Sequence, residues 1–327
     1  MRNIGALEIR DKLMTPAEAV GKFIKDGSQI ALGGFTINRN PMGLVYEIIR
    51  QGIKNLHLVC HSNGQALDVL IGAGCVRKVE VAYAGNGRFA PTCFRFRKAV
   101  ESGKIEVEDY SNYQMSLRFL AGAVGVPFIP AKTGLGTDLV TREGFSAELR
   151  KERKTSGQKY VLMQNPFYEK TDTVLLLPAL QPDVTLLHAQ YVGEDGTVRI
   201  KGLTFADVEQ AKSADAVIVT CEEIVPKEFI RTDPDQNSLP FFLVDAIVPL
   251  PFGAHPTACA YFYDYDVSHL NLYKKMASED HLFKAYLEEW ILGVSNHDEY
   301  LDRMGGKTLR KIRANCVIPY APGLDRR

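Results

Sequence analysis

The chain has 327 residues, 46% of them hydrophobic, enough to bury a full core as one large α/β unit or as two lobes. Lys+Arg and Asp+Glu both number 39, and the resulting net charge of zero excludes the basic footprint of a nucleic-acid binder. Met1 to Met14 carries five charged residues and lacks the apolar stretch of a signal peptide, and the short apolar windows at 175–180 and 241–251 exclude a transmembrane helix.

Six scattered cysteines (Cys60, Cys75, Cys93, Cys221, Cys259 and Cys316) form no C-x-x-C pair and no zinc spacing. They read as reduced, buried thiols of a cytoplasmic protein.

In chain order, Thr15-Pro16-Ala17-Glu18 is a capping box with proline at the first helical position, and Val20, Phe23 and Ile24 give that helix its core face. Ile30 to Leu32 predicts a buried parallel strand between Asp26-Gly27 and Gly33-Gly34. Asn40 and Pro41 predict the N-cap and first position of the next helix, which ends at Gly52. Residues 55–60 form a strand that delivers His61-Ser62-Asn63-Gly64 to a loop, and 66–70 a short helix. Residues 79–84 are a third strand ending at Gly85-Asn86-Gly87. Residues 94–100 read as a helix, 105–108 as a strand, and a further helix runs to about Ala123.

Val126 to Pro130 then leads to Thr133-Gly134-Leu135-Gly136-Thr137, and residues 140–170 read as a polar insertion. Apolar runs at 173–177, 184–188, 216–221 and 241–248 continue the strand pattern, with a turn at Gly193-Glu194-Asp195-Gly196 and a helix at about 205–211. The end of the chain is helical, with Ser278 capping a helix that aligns Leu282, Tyr286 and Trp290. Strands alternating with helices predict an α/β fold: an open, mostly parallel sheet with helices on both faces and a helical C-terminal part. We expect one domain over 1–327, with the insertion at about 140–170 and a helical extension at about 270–327.

Open α/β sheets bind ligands beyond the carboxyl ends of their strands. Gly33 and Gly34 stand at such an end, and without Cβ atoms their backbone N–H groups, with that of Phe35, can approach a substrate oxygen as an oxyanion hole requires. The same spacing also describes a tight strand-to-helix turn without chemistry. Ser62, Asn63 and Gly64 face the same crevice, as substrate contacts or as a polar turn. Arg39 is one positive charge beside it, able to grip a carboxylate with two hydrogen bonds, or else solvated or at a subunit interface. Glu108, at a strand end, is a candidate general acid or base or else a solvated carboxylate. His188 lies in an apolar run as a core histidine. Cys60 and His61 are adjacent, so their side chains diverge and do not make a thiol–imidazole pair. Gly85-Asn86-Gly87 lacks the third glycine of a dinucleotide fingerprint, with Ala90 in its place.

Asp26-Gly27, the apolar residues, Gly33-Gly34-Phe35 and the proline six residues on resemble the signature of the α (A) subunit of family I CoA-transferases. Arg39-Asn40-Pro41 stands where the signature often has Gly-x-Pro, and this variant is similar to the A subunit of the glutaconate CoA-transferase branch. Segments around His188, Glu222-Glu223-Ile224, Val244-Asp245-Ala246 and Gly253-Ala254-His255-Pro256 extend the resemblance. It implies that Thr133, Gly134, Gly136 and Thr137 match the family's Thr-Gly-x-Gly-Thr loop beside the CoA and acyl pocket. The family's β subunit carries its nucleophile in Ser-Glu-Asn-Gly, whereas here Asn63 follows Ser62 directly and no glutamate occurs between Arg50 and Val79.

The resemblance therefore implies an α subunit that acts with a separate β subunit in a heterotetramer or larger assembly. Coenzyme A would be its substrate, with no bound cofactor and no metal, and it would move CoA between a dicarboxylic acyl-CoA and a carboxylate such as acetate. The alternative on the same scaffold is a CoA-ester hydrolase, carbon–carbon lyase or decarboxylase acting on ring-degradation acyl-CoAs.

Overall fold

The computed structural model describes residues 9–142, 144–168, 172–315 and 317–324, so Cys316 lies outside the described residues. The strands are β1 (Gln29–Leu32), β2 (Leu56–Asn63), β3 (Val76–Ala84), β4 (Glu106–Asp109), β5 (Phe128–Ala131), β6 (Val161–Gln164), β7 (Thr173–Pro178), β8 (Val184–Gly193), β9 (Val198–Arg199), β10 (Ala216–Val225) and β11 (Ala246–Pro249). The helices are α1 (Pro16–Phe23), α2 (Met42–Arg50), α3 (Gln65–Gly72), α4 (Phe94–Glu101), α5 (Asn112–Val124), α6 (Asp138–Thr141), α7 (Asp207–Ser213), α8 (Lys227–Thr232), α9 (Val267–Ala277), α10 (Asp280–Leu287), α11 (His297–Met304) and α12 (Gly306–Ile312).

The main sheet runs β11-β10-β8-β1-β2-β3-β4 with every neighbouring pair parallel, and β9 adds an antiparallel hairpin strand to β8. Successive side chains alternate faces, which divides the core in two. Ile30, Leu32, Leu58, Cys60 and Leu186 pack with helical Val20, Leu44, Val45, Ile48, Leu67 and Leu70, and with Tyr273, Phe283 and Tyr286 of the C-terminal helices. On the opposite face Ala31 and Val59 meet Met115 and Phe119 of α5, and Leu187, Val217 and Val219 meet Ala211 of α7. The expected α/β sheet with helices on both faces and a helical end is what the chain forms.

Three local readings change. Residues 128–131 and 173–178 leave the parallel sheet: β5, β7 and β6 form a separate antiparallel sheet, in which Pro130 sits on an edge strand where its missing N–H costs nothing. Helix α2 starts one residue later than expected, after Pro41, and the fully buried Asn40 caps a different helix by accepting the N–H of Ala66 at 3.1 Å. Ser278 closes α9 instead of opening α10, with its hydroxyl donating back to Lys275 O at 2.8 Å. The α1 capping box is complete, Glu18 N–H donating to Thr15 Oγ1 and Thr15 N–H to Glu18 Oε2.

The polar stretch after residue 140 is fastened to the sheet by charge. Arg150 pairs with Glu108, Lys159 with Asp109 (3.0 Å), Lys78 with Glu152 (2.9 Å), and Arg153 and Lys154 with Asp183 at the start of β8. Farther along, β6 and the turn after it leave Val161, Leu162, Phe167 and Tyr168 exposed.

Candidate active site

The order of strands reverses at β1: β2, β3 and β4 follow on one side, and β8 returns on the other. Such a switch point leaves a crevice beyond the carboxyl ends, where open α/β sheets hold ligands. The loop from Gly33 to Arg39 leaves β1 there, and the segment Leu203 to Asp207 crosses it. The carboxyl half of β2 enters from the side.

The glycine pair is required by packing. A Cβ on Gly33 would collide with the Leu187 side chain, and Gly34 has φ +77° with the carbonyls of Asn38 and Arg39 against it. The expected oxyanion donors are already spent. Gly33 N–H donates to Leu186 O (2.9 Å), Gly34 N–H to Asp207 Oδ1 (2.8 Å) and Phe35 N–H to Asn38 O (2.8 Å). These three N–H groups shape the turn and leave no donor for a ligand in this arrangement.

Arg39 is likewise corrected. Only 3% exposed, it donates to Asp207 Oδ2 (2.6 Å), to Leu203 O (2.5 Å) and to His188 O (3.3 Å). With three of its five N–H donors engaged in this way, the guanidinium is a tie inside the protein between the loop after β1, β8 and the segment before α7. Asp207 is the hub that sequence reading missed: one carboxylate holds both Gly34 and Arg39 from the first turn of α7, and it is fully buried. Its separation from Arg39 by 168 residues hides the pairing from any local pattern.

Glu108 also takes a structural place. It is fully buried, ion-paired with Arg150, and accepts hydrogen bonds from Tyr110 Oη (2.8 Å) and Phe145 N–H (3.2 Å). Both oxygens are engaged within the chain, Oε1 by Tyr110 and Oε2 by Phe145 and Arg150, which gives this carboxylate a structural place.

His61, Ser62 and Asn63 stay in β2 instead of forming a loop, and Gly64 follows as the N-cap of α3. Ser62 Oγ donates to Asn112 Oδ1 (2.5 Å) at the start of α5. Asn63 Nδ2 donates to Gly33 O (3.2 Å) and its Oδ1 accepts from Leu67 N–H (3.0 Å). Gly64 is hemmed in by Asn86, Gly85 and Thr36, and Asn86 Nδ2 donates to Gln65 Oε1 (2.9 Å), which packs the Gly85-Asn86-Gly87 turn against the start of α3. Helix α5 then links β2 to the Thr133–Thr137 loop. Ser111 and Gln114 form a complete capping box, and Gln114 Nε2 donates to Thr133 O at 3.1 Å. Gly134 (φ +92°) lies against that Gln114 side chain, Thr137 Oγ1 donates to Gly134 O (2.7 Å), and Gly136 (φ +76°) is exposed. Gly33, Asn63, Ser62, Asn112, Gln114 and Thr133 thus form one connected line along the carboxyl edge. The Ser-x-x-Gln pattern at Ser111 is a readable signal for part of it.

What remains partly open at the switch point is aromatic. The Phe35 and Phe205 rings stack at 4.6 Å, with Ile37 and Leu203 beside them in sequence, and His61 lies 5.8 Å from Phe35. Burial pulls the His61 imidazole below its ordinary pKa, against the opposing charge of Asp207, so it stays neutral near pH 7. Deeper, His188, Glu222 and Cys259 place ligand-type atoms within 4.8 Å of one another. There His188 bonds Thr220 and Glu222 (both 2.7 Å), and Glu222 also accepts from Tyr263 Oη (2.7 Å) and Phe252 N–H (2.8 Å), a closed hydrogen-bond network and not an open coordination sphere.

The fold is an open, mostly parallel α/β sheet whose switch-point crevice is built largely from the segments after β1, β2 and β9. Residues 13–249 match the family model described as coenzyme A transferase, and the chain belongs to that family. It is 41% identical over 309 residues to the A subunit of glutaconate CoA-transferase from Acidaminococcus fermentans, covering 94% of this chain and 95% of the relative. The crystal structure of glutaconate coenzyme A-transferase from that organism superposes with a TM-score of 0.92 at 40% identity, covering 96% of this chain and 98% of that one. The A subunit of 3-oxoadipate CoA-transferase from Pseudomonas knackmussii is 32% identical (88% and 96% covered). A structure of the decarboxylase AibA/AibB is 31% identical at a TM-score of 0.70 (85% and 98% covered).

Proposed function

We propose that the chain is the α subunit of a heteromeric CoA-transferase that moves CoA between a dicarboxylic acyl-CoA of the glutaconyl-CoA type and a carboxylate such as acetate. One observation carries the reading of a shared site: Asp207 in the crevice and Glu108, the candidate carboxylate of β4, are buried and paired within the chain. Neither is free to attack a thioester, so the nucleophile belongs to a β subunit; both relatives are themselves named as one lettered subunit of a larger enzyme, which supports this. The exposed apolar group at Val161, Leu162, Phe167 and Tyr168 suits a chain that is covered by a partner. Both relatives are named for dicarboxylates, which supports that substrate class. The site residues Ser62, Asn63, Gly64 and the Thr133–Thr137 loop would shape the pocket, and the assembly would be a cytoplasmic heterotetramer or larger.

In that reaction the β-subunit glutamate attacks the acyl-CoA thioester carbonyl, forming an acyl–glutamyl anhydride and expelling CoA thiolate. The thiolate attacks the glutamyl carbonyl, giving a glutamyl-CoA thioester and releasing the first carboxylate. Acetate then attacks that thioester, and returning CoA thiolate takes the acetyl group and restores the glutamate. Similarity to a decarboxylase keeps CO₂ or free CoA release as a second reading. The test is to co-purify the chain with its partner, supply glutaconyl-CoA with and without acetate, and follow acetyl-CoA. Acetyl-CoA formation, with borohydride inactivation that maps to the partner chain after pre-incubation with acyl-CoA, is the expected result. Free CoA or CO₂ release that ignores acetate and resists borohydride overturns it.

A further inference from the structure

The seven histidines of this chain fall into distinct groups. His57 contacts Gln29 and Glu80, His188 contacts Thr220 and Glu222, and His255 contacts Tyr300 and Asp266. His269 bonds Tyr286 and His297 bonds the Pro251 carbonyl, while His281 is exposed to water. His61 fits neither pattern. It is half-buried, yet its Nδ1 is fully buried without a hydrogen-bond partner among the described residues. Leaving a buried polar nitrogen unpaired is costly, and native structures retain such atoms where a ligand or water completes them.

Its position gives the orphan atom a purpose. His61 stands near the carboxyl end of β2, beside the Phe35–Phe205 stack at the switch point of the sheet. The backbone donors expected there, Gly33, Gly34 and Phe35, are taken by Leu186 O, Asp207 and Asn38 O. Arg39 is tied to Asp207 and two carbonyls. Among the described residues Asn86 Oδ1 and Gln65 Nε2, beside Gly64, are also buried without a partner, but His61 is the one such group that stands against the Phe35–Phe205 stack.

We propose that His61, as a neutral imidazole, donates a ring N–H to the carbonyl oxygen of the bound acyl thioester, while the Phe35–Phe205 stack flanks the acyl chain. A neutral donor suits a carbonyl that gains negative charge only as the thioester is attacked, because it is stabilising there without binding the ground state strongly. This assignment rests on the transferase reading given above.

The test compares His61→Phe and His61→Gln with the wild-type chain, each co-purified with the partner chain, then assayed with glutaconyl-CoA and acetate. His61→Phe keeps the ring shape and loses the donor, so kcat falls by about 10²–10³-fold, the usual effect of deleting one oxyanion-hole donor. KM for glutaconyl-CoA changes far less. His61→Gln restores an N–H and recovers to within about tenfold of wild type on the same scale. Thermal melting and co-elution with the partner establish that each variant is folded and assembled, and rates are expressed per assembled complex. If wild type transfers CoA and assembled His61→Phe matches it, the role of His61 is overturned while the transferase reading stands. A variant that loses only its partner, with normal turnover in the complex that remains, also overturns it by making His61 an interface residue. A wild-type complex that transfers no CoA to acetate overturns the transferase reading itself, and the assignment of His61 with it.

Discussion

At the scale of single residues, charge type was legible and charge use was not. Arg39 and Glu108 each stand beside a strand end, where a polar side chain invites a substrate role. Their partners, Asp207 and Arg150, come from segments 168 and 42 residues away. Nothing in spacing forecasts such pairs, because the sheet topology alone brings them together. Glu108 makes the distinction measurable. Glu108→Gln keeps the side-chain shape but leaves the Arg150 guanidinium, whose side chain is 8% exposed, without a counter-ion. Breaking a buried pair from one side costs about 3–5 kcal/mol. We expect a clear fall in the urea midpoint of the isolated chain, with transfer turnover per assembled complex close to wild type. Turnover reduced a hundredfold at unchanged stability would restore Glu108 as a reacting group.

At the scale of elements, short signals inside one helix were readable and signals shared between helices were not. The capping box at Thr15 and the glycine after α2 follow from residues three or four apart, and both are present. Asn40 was misplaced because its side chain serves α3 across the crevice, and Ser278 because Ser caps and Ser C-termini look alike in sequence. The box at Ser111 joins both classes. Its Gln114 half reaches beyond α5 to the Thr133 carbonyl, so the cap and the loop are one unit. Ser111→Ala removes the acceptor for Gln114 N–H and costs about 1 kcal/mol of stability. The Ser111 N–H still donates to Gln114 Oε1, but a frayed first turn loosens the backbone that carries Gln114, so amide hydrogen exchange should rise from Thr133 to Thr137 as well as in the first turn of α5. Faster exchange confined to α5 would show that the loop is held by other means.

For the whole molecule, the parallel sheet was legible because buried parallel strands are continuous apolar runs between glycine and proline turns. The second sheet was not, since β5, β6 and β7 carry similar runs but pair antiparallel at a distance in sequence. The C-terminal helices close over one face of the main sheet with an aromatic and histidine cluster, and this sets the acid response of the fold. Burial holds His297 neutral down to about 4, partly opposed by the Pro251 carbonyl, and burial with the neighbouring His255 charge depresses His269 well below its ordinary value. An unfolded chain protonates both near 6.5. Their contribution is therefore present above pH 6.5 and is lost as pH falls toward the folded values, at up to about 1.4 kcal/mol per histidine per pH unit.

Asp68 acts in the opposite direction: burial raises it to about 6 despite hydrogen bonds from Tyr273 and Phe96, so its contribution is present below the unfolded value near 3.9 and fades as pH rises through 6. Two histidines against one carboxyl leave a net loss on acidification from pH 6.5 to 4.5. The melting temperature should fall steadily over that window. Asp68→Asn removes the opposing group and steepens the fall, whereas His297→Gln, which still donates to Pro251 O, flattens it. A flat wild-type profile, or variants that shift the curve without changing its slope, would mean that these buried groups keep their unfolded proton affinities and that the C-terminal helices admit water around them.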